Sequence, residues 1–431
     1  MSSRLGAPGQ TETEQAAVLE NWLKPVGVNP AFSCLAHANR VLMLQGPVGP
    51  FFDRVAQWLL ARGCQVERVV FQGGDEQDCQ AVRPIRFTDR PAAWPAFLAA
   101  LLSRSRPDCI VLFGQARLYH KVALERARAT DLPVVVMEEG YFRPGFVTME
   151  LGGVNGYSTT LDRFVWTPGS AEGPSTGLRP HLSDAHFQKM ALHAARHYAG
   201  MHKHRDQYPH YQHHRSDHIR SYAWYWMKSW FRKGLHRSGD LKFQRWLFQS
   251  GKPYYFVPMQ LEGDSQITHH SPFANNAEFV LRVLHSFASH APRDSLLVFK
   301  QHPHARGGPG HDGLIRTVAA SLGIGHRVHH MLEGDTPDLA EYSAGTVLIN
   351  STVGLQALER GAPLMALGET PYRRPDLTFP GDLDDFWRER QRPNPDLTGA
   401  FLAQVKNLTQ APASVYAWRS ESLGWSGLPL N

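Results

Sequence analysis

The sequence predicts an α/β protein: two Rossmann-like domains face a central cleft, with a basic, aromatic-rich helical insertion between them. Three observations carry this. Short apolar runs alternate with amphipathic segments from about residue 41 to 139, and a second such series runs from 254 to 367. Alternation of this kind builds a parallel sheet covered by helices on both faces. Between the two series the pattern breaks. From Met201 to Leu247, ten Lys or Arg oppose three Asp, a net of +7 in a chain whose total is +6, so the rest is close to neutral.

In the first series, Val41–Gln45, Val66–Gln72, Cys109–Gly114 and Pro133–Glu139 read as strands, and Phe51–Arg62, Trp94–Ser103 and Tyr119–Ala129 as helices. In the second, the strands are Tyr254–Gln260, Leu296–Lys300, Val328–Met331, Thr346–Asn350 and Leu364–Leu367. The helices between them are Ala274–His290, His311–Leu322, Thr336–Ser343 and Val353–Arg360. The expected divisions are a lead-in (1–37) with a short helix near Gln15–Leu23, a first domain (38–200), the basic segment (201–250), a second domain (251–400) and a tail (401–431). Two such domains in tandem describe the GT-B architecture of glycosyltransferases, shared by phosphorylase-like epimerases, with the ligand crevice at the strand ends.

Composition narrows the class. At 431 residues the chain accommodates two ordinary domains, and 42% apolar content is that of a globular protein. No run approaches the roughly 18 apolar residues of a membrane span, and no basic-then-apolar leader opens the chain. Cys34, Cys64, Cys79 and Cys109 form no C-x-x-C pair, which fits a reducing cytoplasm. The basic segment contains no known nucleic-acid module, so no nucleic-acid partner is expected. Its His-x-His and His-His pairs lack neighbouring Cys, so no metal site is expected.

Chemistry concentrates where strands end. Lys300-Gln301-His302-Pro303 closes one strand, and Asn350-Ser351-Thr352-Val353-Gly354 joins another to a helix. Small hydroxyl residues beside free backbone N–H groups suit an anion, and a nearby His adds charge or a proton. Glu138-Glu139-Gly140-Tyr141-Phe142-Arg143-Pro144 brings two carboxylates to a strand end before a sharp turn; side chains alternate there, so only one Glu points into the cleft. Gln45-Gly46 and Gln72-Gly73-Gly74-Asp75 follow the first two strands, Asp75 at the cleft edge. Gln260-Leu261-Glu262-Gly263-Asp264-Ser265-Gln266 ends the first strand of the second domain.

These pieces, in this order, resemble the capsule polysaccharide modification proteins of the KpsS type, the β-Kdo transferases of Gram-negative bacteria. The matching stretches are Leu44–Phe52, Phe71–Asp75, Phe113–His120, Glu138–Pro144, Gly153–Ser158, Asp264–Ile267, Lys300–Gly307 and Asn350–Leu358. The resemblance implies transfer of Kdo, an acidic sugar, from CMP-Kdo with retention of anomeric configuration. The implied acceptor is lysophosphatidylglycerol, and the product starts the poly-Kdo linker of a capsular polysaccharide. It implies no metal or other cofactor, CMP-Kdo being a substrate. It places the protein in the cytoplasm, peripheral on the inner face of the inner membrane, beside a second Kdo transferase and the export complex.

Roles follow from the resemblance. Retention calls for two displacements on a carboxylate. Glu139 is the first choice, at the position equivalent to the catalytic acid of the acid-acid-Gly motif in related CMP-sugar transferases; Glu138 is the alternative and Asp264 the third. His302, with Lys300 and Pro303, meets the CMP phosphate together with Asn350, Ser351 and Thr352. Asp264 and Gln266 hold ribose or Kdo hydroxyls, and Arg143 the Kdo carboxylate. Gln45, Gly46 and Asp75 line the acceptor wall. Trp224, Trp226, Lys228, Trp230, Arg232 and Lys233 face anionic headgroups. Two other readings stay open: a GT-B enzyme using a different nucleotide sugar, and a non-catalytic capsule-export scaffold.

Overall fold

A computed structural model describes residues 29–142, 145–162, 186–212, 219–262, 267, 270–308 and 310–425. The expected lead-in helix near Gln15–Leu23, together with Arg143, Asp264 and Gln266, lies outside the described residues, as do the side chains of Trp224 and Trp226.

The first lobe is a seven-stranded sheet. Its strands are β1 (Arg40–Met43), β2 (Gln65–Val70), β3 (Pro84–Arg86), β4 (Cys109–Phe113), β5 (Val134–Glu139) and β6 (Phe146–Leu151), plus β12 (Gln410–Pro412) from the far end of the chain. Their order is β12-β6-β5-β4-β1-β2-β3. The five central and right-hand strands run parallel, while β6 is antiparallel to β5 and β12 antiparallel to β6. The second lobe is a five-stranded parallel sheet of β7 (Tyr254–Pro258), β8 (Leu296–Lys300), β9 (Val328–Met331), β10 (Gly345–Leu348) and β11 (Leu364–Ala366), in the order β11-β10-β7-β8-β9. Both orders reverse at the first strand of the lobe, as in doubly wound nucleotide-binding folds. This is the GT-B arrangement expected.

Each sheet is apolar on both faces because helices cover both. Val41, Met43, Val135 and Met137 point into one core of the first lobe, while Leu42, Leu44, Val134 and Val136 point into the other. The period of two along a continuous apolar strand produces this division. In the second lobe, Tyr254, Phe256, Leu296 and Val298 face one core and Tyr255, Val257, Leu297 and Phe299 the other.

The described residues from 401 to 425 pack back onto the first lobe. The helix Pro395–Thr409 leaves the second lobe and returns to the first, packing Phe401, Leu402 and Val405 in one cluster with Tyr141, Phe142 and Phe146. Strand β12 then pairs Ala411 with Val147. Beyond it, the guanidinium of Arg54, 2% exposed, donates to the carbonyls of Ser414, Glu421 and Ser422 at 2.8, 2.8 and 2.6 Å. The described part of the expected 401–431 tail is thus built into the first lobe.

The Gln72-Gly73-Gly74-Asp75 motif has a structural task. The helix Gly73–Gln77 packs directly on the helix His186–Lys203. A Cβ on Gly73 would sit 2.5 Å from the Gly200 carbonyl oxygen, and one on Gly74 2.2 Å from that of His197. Asp75 does not stand at the cleft edge as expected. Its carboxylate lies 2.8 Å from the Arg68 guanidinium with both side chains 1% exposed, because the close helix contact closes over it. Asp75→Ala leaves Arg68 a buried, uncompensated charge and is expected to cost about 3–5 kcal/mol in denaturant unfolding. Turnover per folded molecule should stay near that of the native chain.

Candidate active site between the lobes

On the first lobe the site grows from the end of β5. Gly140 is required there because a Cβ would lie 2.4 Å from the Phe146 carbonyl oxygen, where β6 turns back. Glu138 and Glu139 pair in register with Thr148 and Val147 and leave opposite faces of the sheet. Glu138 Oε2 accepts a 2.8 Å hydrogen bond from Asn155 Nδ2. Glu139 Oε1 accepts one of 2.7 Å from the Tyr416 hydroxyl, on the face covered by the returning C-terminal segment.

Asn155 is held firmly. Its φ of 57° is left-handed, a region Asn tolerates better than most residues. Its backbone N–H donates to the Tyr141 hydroxyl at 2.6 Å, which itself donates to Glu150 at 2.7 Å. The Ser158 hydroxyl donates to the other Glu150 oxygen. Burial, with Glu150 alongside, pushes the Tyr141 phenol well above its ordinary value, so it stays a donor. Gln115 clamps the preceding backbone, exchanging hydrogen bonds of 2.9 and 3.0 Å with Val154.

The second lobe answers with the end of β10. Asn350 exchanges hydrogen bonds with Gln260 at 3.0 and 3.3 Å and donates to the His270 carbonyl at 3.1 Å. The helix Val353–Glu359 starts at Thr352, whose side chain makes no capping hydrogen bond. Ser351 Oγ accepts from Val353 N at 3.3 Å. Gly354 is needed because the Tyr372 ring covers that turn: a Cβ would sit 2.4 Å from the ring. The Tyr372 hydroxyl donates to the Ser351 carbonyl.

Between these halves lies a small cavity of about 30 Å³. Tyr141 and Asn155 line it from the first lobe, Asn350, Thr352, Glu369 and Tyr372 from the second, and Phe401 and Val405 from the crossover helix. At its edge the Tyr157 ring of the first lobe meets His270 of the second edge-on, at 4.5 Å. His270 Nδ1 lies 3.1 Å from Glu369.

The His-Pro corner sits farther along the same sheet edge. Strand β8 lies two places from β10, a spacing of roughly 10 Å, so His302 and Thr352 flank the end of β7. His302 is half-buried and Pro303 exposed, at the start of a 3-10 turn that Gln301 braces by donating to the Ala305 carbonyl at 2.9 Å. Lys300 is 5% exposed, and burial, reinforced by Arg306, pulls its ammonium down to about 8. Its folded value lies below the unfolded one, so between pH about 8 and 10.5 the unfolded chain holds a proton that the native chain lacks. The Lys300 contribution to stability therefore rises with pH across that window. Lys300→Met should be more stable than the native chain at pH 7, with the gap closing by pH 10 in denaturant titrations.

The expected site residues thus divide. Asn350 and Thr352 line one pocket, Glu138 is tied to it through Asn155, and His302 ends a strand two places away in the same sheet. Gln45 is 5% exposed and donates to the Tyr211 hydroxyl at 3.1 Å, while Gly46 accepts from Arg117 at 2.8 Å; these partners stand where an open acceptor wall was expected. Arg232 donates to the carbonyls of Arg306 and Gly308 at 3.0 and 3.3 Å, turned from solvent toward the loop after His302. Tyr141, Asn155, Glu150, Glu369 and Tyr372 escaped the sequence reading. Tyr141 lies inside the Glu-Glu-Gly-Tyr motif and Asn155 inside the matching stretch Gly153–Ser158, while Glu150, Glu369 and Tyr372 carried no local signal.

The family model described as capsule polysaccharide biosynthesis protein matches residues 108–416. The chain is 33% identical over 394 residues to the capsule polysaccharide export protein KpsS of Escherichia coli, covering 90% of this chain and 99% of that one. It is 31% identical over 390 residues to the capsule polysaccharide modification protein LipB of Neisseria meningitidis serogroup A, covering 89% and 93%. Among solved structures, the KpsC β-Kdo 2,7 transferase of Thermosulfurimonas dismutans aligns over 87% of this chain and 92% of that one, at 14% identity and a TM-score of 0.42.

Proposed function

Because the chain belongs to the capsule polysaccharide biosynthesis protein family, we propose that it is a retaining Kdo transferase. It takes Kdo from CMP-Kdo and places it on a lysophosphatidylglycerol acceptor at the inner face of the inner membrane. That product begins the linker which a second Kdo transferase extends for the export complex. One observation supports the reading: Glu138 accepts a hydrogen bond from Asn155, which lines the same pocket that Asn350 and Thr352 line from the facing lobe.

The chemistry runs in two displacements. A Glu138 oxygen attacks the anomeric carbon, the bond to the phosphate oxygen breaks, and CMP departs with the electron pair. His302, Ser351 and Thr352 stabilise the charge that develops on that phosphate. The acceptor hydroxyl then attacks the adduct from the vacated side, gives up its proton to a base in the cleft, and releases Glu138. Glu138 takes this role in preference to Glu139 because Glu139 is engaged by Tyr416 on the sheet's other face. No metal ion is required, since the leaving group carries a single phosphate.

Among the described residues no helix is long and apolar enough to cross a membrane, so the lipid acceptor is reached from the bilayer surface. The discriminating experiment compares nucleotide release from CMP-Kdo and from UDP-sugars by the purified chain. Release from CMP-Kdo alone supports the reading. Preference for a UDP-sugar defeats the donor assignment, and no release from any nucleotide sugar leaves the export scaffold.

A further inference from the structure

The helix Ile219–Gln249 has two faces with different surroundings. Inward, Ser229, Gln244 and Leu247 are 4, 7 and 1% exposed. Asp240 accepts from the backbone N–H groups of Leu332 and Glu333, both at 2.9 Å, and Gln244 accepts from Asp335 N at 2.9 Å. Arg232 holds the carbonyls of Arg306 and Gly308. The loop itself lies against the helix backbone: a Cβ on Gly307 would sit 2.3 Å from the Tyr225 carbonyl oxygen.

Outward, Met227, Trp230, Phe231 and Leu235 are 57, 60, 71 and 66% exposed. Spacings of three, four and eight residues put them on one stripe. Lys228, Arg237, Lys242 and Arg245 are also exposed. The one acidic residue of this helix, Asp240, faces inward. Large apolar side chains among cations, with no exposed carboxylate on the helix, match the headgroup boundary of an anionic bilayer.

We propose that this outward stripe lies on an anionic bilayer, and that the contact, passed through Arg232 and Gly307, orders the loop from Gln301 to Gly308 and tightens nucleotide binding. The proposal rests on the reading of that loop as part of a CMP site. The helix is the shared element: lipid that immobilises one face also immobilises the loop bonded to the other. A lipid surface without acceptor is then an activator in its own right, through a coupling that is reciprocal.

The test measures CMP affinity of the full chain by titration calorimetry, alone, with phosphatidylcholine vesicles, and with mixed phosphatidylglycerol–phosphatidylcholine vesicles, all free of lysolipid. The expected result is sedimentation with the anionic vesicles and CMP binding about fivefold or more tighter on them. Phe231→Ser with Leu235→Ser should abolish sedimentation and tightening while leaving vesicle-free CMP affinity unchanged. Arg232→Gln should sediment normally yet lose the tightening. A native chain that sediments but binds CMP equally with and without vesicles overturns the coupling. A chain that ignores anionic vesicles, or that forms a dimer dissolved by the Phe231/Leu235 change, overturns the bilayer as occupant. If CMP binds under no condition, the nucleotide reading itself has failed.

Discussion

Glu138→Gln should lower transfer from CMP-Kdo on the order of 10³-fold or more, with the fold intact. The amide keeps the size of the side chain and still accepts from Asn155, so the half-buried strand end is preserved. What it loses is the anionic oxygen that forms the bond to the anomeric carbon. Glu139→Gln is the control with the same chemistry on the neighbouring residue. Its partner is the Tyr416 hydroxyl on the opposite face of the sheet, and the expected loss is below about tenfold, a positioning effect rather than loss of a reacting group. CMP release and lipid product, followed together over the first turnovers, distinguish the two. A severe loss in Glu139→Gln beside a mild one in Glu138→Gln would reverse the assignment and restore the carboxylate favoured by motif position.

The second large effect is expected from His302→Ala. The residue stands on a loop beyond β8, half-buried, so the change removes a charge partner without opening a core. Loss of one preorganised group facing a departing phosphate typically costs about 10²- to 10³-fold. The loss should appear in kcat/KM for CMP-Kdo, and CMP should weaken as a product inhibitor by a comparable factor. Thr352→Val, at the other side of β7, should act in the same direction. Unchanged donor kinetics in both variants would place the phosphate elsewhere in the cleft.

The sequence revealed what short-range periodicity controls. The parallel strands of both lobes, except the short Pro84–Arg86 strand β3, follow from apolar runs, and the corners at His302 and Thr352 follow from the residues that end them. Pairings made over long sequence distance were not legible. Gln410-Ala411-Pro412 has no strand signature, yet it closes the first sheet because the crossover helix delivers it to β6. Burial was equally hidden. Asp75 looks like a cleft carboxylate until Arg68 and the helix over Gly73 and Gly74 enclose it. Arg232 shares a helix with exposed Trp230 and Phe231, and only the three-dimensional phase of that helix sends its guanidinium to the loop carbonyls. The choice between Glu138 and Glu139 needed the positions of Asn155 and Tyr416. Those partners lie 17 and 277 residues away in the chain, outside the Glu-Glu-Gly motif itself.

The most direct measurement of the central claim is the anomeric configuration of the product. Purified protein is incubated with CMP-Kdo and lysophosphatidylglycerol, and the glycolipid is examined by NMR alongside quantification of CMP. The two-displacement account predicts one β-linked Kdo per lipid and one CMP released per transfer. An α-linked product, or donor left intact beside an available lipid acceptor, would contradict it.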